Sequence, residues 1–256
     1  MLLSKGGAIL TYSNYSNLKL VSVISLTLLV SGCNMFTPLK KPEIGPAGSP
    51  VETKPNPPIS QRFESPPKEL YDLEATAGVI FQGINKKDWV QAKRGIATLQ
   101  TLWPQIKDLA GNKKGLKDAD EALTTLETDI NKQSSLASYE SLIKFMASVS
   151  DVGKSYKLSP LSDIVAIGNT IRNVSFYVQE KNWDKAKAKM KELEGAWGQA
   201  KPSMEKVGIL SEITKTHSAV KQLKDAVEAE NKGAAEEQIA NINESMGIIR
   251  EYYHGK

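Results

Sequence analysis

Apolar residues between Leu70 and Ile249 recur at alternating steps of three and four, the spacing that places them on one face of an α-helix. A first stripe runs Leu70, Leu73, Ala77, Ile80, Ile84, and a second runs Trp89, Ala92, Ile96, Leu99, Trp103, Ile106. Leu116, Ala119, Leu123, Leu126, Ile130 form a third, and Leu142, Phe145, Val149, Val152 a fourth. Four further stripes follow, beginning at Ile164, Trp183, Ile213 and Ile239. No alternating strand pattern of any length interrupts them, so the chain is predicted to be all-α.

The second set of stripes copies the first. Asp88-Trp89-Val90-Gln91-Ala92-Lys93 aligns with Asn182-Trp183-Asp184-Lys185-Ala186-Lys187, ninety-four positions later, and the register holds through Trp103 and Trp197. Further on the offset grows to ninety-seven, pairing Leu126 with Leu223 and Leu142 with Ile239. This predicts two tandem four-helix units, residues 68–157 and 158–256, as up-down bundles or as one continuous helical array. Breakers fall where turns belong: Asn85 to Lys87, Gly111 to Gly115, Asn131 to Ser135, Gly153 to Pro160 and Pro202 to Gly208. Pro104, with Gly198 as its counterpart, predicts that the second helix of each unit kinks or stops there.

Asp-Trp or Asn-Trp at a helix start, the Ala-Lys after it, a second tryptophan four turns later and His217 in the third helix make a set. With it the units resemble an uncharacterised family of all-helical domains found in bacterial lipoproteins and short membrane-anchored proteins. The likeness is better in the second unit, about residues 161–253; the first carries Asp120 where His217 aligns. The resemblance implies a helical fold and no activity.

The N-terminal quarter is of another kind. Leu20 to Val30 is apolar and is followed by Ser31-Gly32-Cys33, with Lys5 and Lys19 before it and no acid. A run of eleven residues is too short for a bilayer core, which needs about 20. Leu29-Val30-Ser31-Gly32-Cys33 resembles a bacterial lipobox, which makes residues 1–32 a signal peptide and Cys33, the only cysteine, the acylated first residue. The protein is then expected outside the cytoplasmic membrane, held by its lipid. Asn34 is not the aspartate that resembles an inner-membrane retention signal, so an outer membrane is favoured in a double-membraned cell. Residues 33–67 hold nine of the twelve prolines and few apolar groups, the composition of a disordered, extended spacer.

Chemistry is sparse. The chain has 33 basic and 29 acidic residues, and without Lys5 and Lys19 the excess falls to two, which gives no electrostatic case for nucleic acid. Lys185 and Lys189 belong to a basic cluster on one helix, but Asp184 and Glu192 are interleaved, the pattern of a solvated face. His217 has no Glu-x-x-His spacing around it, so metal is not expected and a hydrogen bond to a neighbouring helix is. Asp118, Asp120 and Glu121 read as solvated carboxylates, and the tryptophans as core anchors. With no nucleophile elbow or phosphate loop, neither an enzyme nor a cofactor is expected. The functional expectation is a non-enzymatic, membrane-tethered module for protein interaction or envelope organisation, with Lys185, Lys189 and His217 as candidate contacts. The alternative is a binder of a small ligand or an anionic envelope polymer, using a cleft between the units.

Overall fold

The computed structural model describes residues 64–205 and 209–255. The signal segment, Cys33 and the proline-rich spacer as far as residue 63 lie outside the described residues. The described chain is all-helical: α1 (Glu69–Lys86), α2 (Trp89–Ala110), α3 (Leu116–Asn131), α4 (Ser135–Gly153), α5 (Leu161–Gln179), α6 (Trp183–Glu205), α7 (Leu210–Glu228) and α8 (Lys232–His254).

The turns repeat with the sequence. α1 ends on Lys87 in the left-handed region (φ 58°), and the Asp88 N–H donates back to the Gly83 carbonyl at 2.8 Å. The Asp88 carboxylate then accepts the Gln91 N–H at 2.9 Å and starts α2. Ninety-four residues later Lys181 has φ 55°, the Asn182 N–H donates to Tyr177, and the Asn182 side chain accepts from Lys185 N–H at 3.2 Å. Gln133 (φ 57°) and Glu230 (φ 55°) close α3 and α7 in the same way, ninety-seven apart. The short hairpins therefore come from one local code used twice.

Every stripe faces inward. Leu70, Leu73, Ala77, Ile80, Ile84 and their counterparts down to Ile249 form one continuous buried cluster, with Trp103 and Trp197 each 2% exposed. Trp89 and Trp183 are half-buried at the starts of α2 and α6 and pack against that cluster. Neither helix stops at the expected point: α2 runs through Pro104 to Ala110, and α6 runs through both Gly198 and Pro202 to Glu205. Pro104 and Pro202 are exposed, so the carbonyl each leaves without an amide partner stays near water.

α2 packs on α1 and α3 on α4, and α6 on α5 and α7 on α8 in the same way. These hairpins meet through α1, α4, α5 and α8, which form a central four-helix group. α4 and α5 are consecutive and antiparallel. Phe81 against Tyr139 makes α1 antiparallel to α4, and His254 at the end of α8 stands 3.3 Å from Asp72 at the start of α1. Neighbours in the central group thus alternate in direction, and α1 and α5 meet across its diagonal.

Candidate functional site

Two seams in the central group are related by the repeat, α4 against α5 and α8 against α1. They are not alike. Along α4 and α5 the helices touch closely: the Tyr139 ring stacks on Phe176 at 3.9 Å between centroids, and its hydroxyl donates to Asn173. Asn169 donates to the Ile143 carbonyl at 3.2 Å, and Ser150 to the Ser162 carbonyl at 3.0 Å. Burial pushes the Tyr139 hydroxyl well above its ordinary range, so it remains a neutral donor.

α1 and α8 meet at His254 and Asp72 and then part around a groove of about 530 Å³ floored by α5. The repeat offsets explain the difference. Tyr139 becomes Glu236, Phe176 becomes Gln82 and Asn173 becomes Val79; Ile143, Asn169 and Ser150 become Ala240, Ala75 and Gly247. All six replacements line the groove. An aromatic stack and its hydrogen bonds fill one seam, and small or hydrophilic side chains leave the other open. The volume lies within the range of about 300–1,000 Å³ common for ligand sites.

An ion pair sits where α1 crosses α5. Arg172 Nη1 and Nη2 donate to Glu74 Oε1 and Oε2 at 2.7 and 3.0 Å, and Nη2 also donates to Asn169 Oδ1 at 2.9 Å. The two side chains are 6% and 9% exposed, and both residues line the groove. A methyl on Gly168 would overlap the Glu74 carboxylate, so glycine there lets the carboxylate lie against α5. The repeat counterparts of Glu74 and Arg172 are Gly168 and Gly78, so the second, symmetry-related position of the pair is empty of charge. Arg172 Nε has no hydrogen-bond partner. Sequence reasoning passed over this pair because each residue sits beside an apolar stripe. The signal that could have found it is the exchange of charge for glycine at both repeat-matched positions.

The predicted contact residues are elsewhere. Lys185 Nζ lies 5.2 Å over the Tyr177 ring, and Lys189 pairs with Glu192 at 2.8 Å. His217 Nδ1 accepts the Trp197 indole N–H at 3.2 Å, a bond to the neighbouring helix. The three do not line the groove. In the first repeat Asp120 takes the place of His217: its carboxylate accepts the Trp103 indole N–H and the Lys107 ammonium, each at 2.8 Å. Asp120 is thus more than a solvated carboxylate, and Lys107 and Trp103 together hold it below the ordinary carboxylate range. Each repeat seats a buried tryptophan with its own acceptor, and those positions serve the core.

Among the described residues no group of three or more His, Cys, Asp or Glu side chains could hold a metal ion, and no helix is long and apolar enough to cross a membrane. No curated protein and no solved structure matches the chain. Residues 160–253, which take in α5 to α8, match the family described as a domain of unknown function, DUF4363.

Proposed function

We propose that this chain is a non-enzymatic lipoprotein, tethered outside the cytoplasmic membrane through Cys33, that binds an envelope component in the groove between its repeats. The observation that carries the reading is the unequal pair of seams: the same fold position is packed shut between α4 and α5 and open between α1 and α8. A concave site with convergent polar groups favours a ligand over the broad apolar patch that a flat protein interface uses. The groove's charged groups also suit binding better than proton transfer, since Glu74 is locked in a forked bridge with Arg172. Residues 68–157 are, on the same reading, a diverged second copy of the domain matched at 160–253. Shared left-handed turn positions and paired tryptophan sites support that descent.

Methyl NMR of the full chain, titrated with solubilised envelope material, tests the groove. Signals of Ile164, Ile239 and Met246 in the groove are expected to shift, while Ile106 on α2 and Ile130 on α3 stay fixed; shifts confined to α2 and α3 overturn the reading. Separately, Cys33→Ala is expected to move the protein from the membrane fraction to the soluble fraction. Retention of the variant on the membrane refutes the tether.

A further inference from the structure

The length, walls and charge of the groove favour one kind of guest. Its lining runs from Glu74 to Lys86 on α1 and from Glu236 to Arg250 on α8, which is about 20 Å at 1.5 Å per helical residue. An extended main chain covers that length with about six residues at roughly 3.3 Å each. Ala75, Gly78, Ala240 and Gly247 keep the walls low; a Cβ on Gly78 or Gly247 would meet nothing within 4 Å. A backbone can therefore approach both helices closely.

The hydrophilic part of the lining suits peptide bonds. Gln82, Asn85, Gln179 and Asn243 come from three helices, and each carboxamide offers both a donor and an acceptor. Among the described lining residues the only ring is Phe81, 7% exposed, which gives a sugar no face to stack on. The charge is one-sided. Glu74 is neutralised by Arg172, and Glu236 lies 3.6 Å from Lys232. Among the described residues Lys86 has no ion pair, and Arg250 meets only its exposed neighbour Glu251 at 3.4 Å. Arg172 lines the groove, and its buried Nε donor is without a partner.

We infer that the open seam between α1 and α8 binds an extended, acidic peptide segment of about six residues, its main chain against the low walls and its carboxylates toward Lys86 and Arg250. This rests on the groove being a binding site and adds the class of partner.

The probe is a fluorescein-labelled hexapeptide alternating glutamate and alanine, read by anisotropy against the full-length protein. Wild type is expected to bind it, more weakly as salt rises. Gly247→Leu, which fills the groove from an open position and raises helix propensity, is expected to abolish binding. Gly195→Leu, at an equally open position on α6, should leave it unchanged. Lys86→Ala combined with Arg250→Ala should weaken binding at least about tenfold, the least expected for two lost hydrogen bonds to charged groups. No binding by wild type overturns the inference, as does equal binding by Gly247→Leu or by the double variant. If the lysine counterpart or an N-acetylglucosamine oligomer binds instead, and Gly247→Leu removes that binding, the acidic-peptide assignment falls while the groove stands as a binding site.

Discussion

Replacing Arg172 with methionine strands Glu74. Its carboxylate is 9% exposed and has a forked bond from the guanidinium as its charge partner, so the variant leaves a buried anion with nothing to balance it. Breaking such a pair from one side costs about 3–5 kcal/mol. In a helical region of this size each kcal/mol moves the melting temperature by about 2–4 °C, so the expected fall is roughly 6–20 °C. Adding Glu74→Leu removes the stranded charge and puts an apolar group beside Gly168. Buried ion pairs exchanged whole for apolar groups are commonly neutral or better, so the double variant should recover most of the loss, to within about 1–2 kcal/mol of wild type. Urea unfolding followed by helical circular dichroism and by tryptophan fluorescence gives all four corners of the cycle. The reasoning is refuted if Arg172→Met loses less than about 1 kcal/mol, or if the double variant loses the sum of the two singles.

Three further outcomes follow from the repeat. His217→Asp installs the acceptor used by the first repeat and should keep stability near wild type, whereas His217→Leu orphans the buried Trp197 N–H and should cost about 1–3 kcal/mol in urea melts. Asp120 titrates lower folded than unfolded, so its contribution is complete above the unfolded carboxylate value of about 3.9 and is lost as pH falls through the lower folded one. Asp120→Asn should therefore flatten the acid limb of stability against pH, and an unchanged limb contradicts the assignment. Lys87→Gly and Lys181→Gly relieve left-handed backbone at non-glycine residues and should each add roughly 0.5–1 kcal/mol, visible as a higher melting temperature.

The helices were legible because their signal is local. Stripes at three-four spacing gave the buried faces almost residue for residue, with only Trp89 and Trp183 left half-exposed at helix starts. Asp88 and Asn182, both at predicted helix starts, cap those helices through side chains that reach three residues on. The stop that Pro104 offered is not taken, because a proline on an exposed face leaves its orphaned carbonyl near water and the helix continues. The groove was not legible from either repeat alone. It arises from a difference between copies: Tyr139 and Phe176 shut one seam, and Glu236 and Gln82 cannot shut the other. Lys185, Lys189 and His217 drew notice by residue type, yet what occupies them is a ring, a carboxylate and an indole inside their own repeat.

Glu74 and Arg172 stand ninety-eight positions apart, one in each half of the chain. A nascent polypeptide that has emerged only as far as α4 carries an anion with no counter-ion to receive it. The leading half thus lacks one charge partner until α5 supplies Arg172. Cut from the second repeat, the first keeps the acid and loses its base, so the two copies are not interchangeable parts.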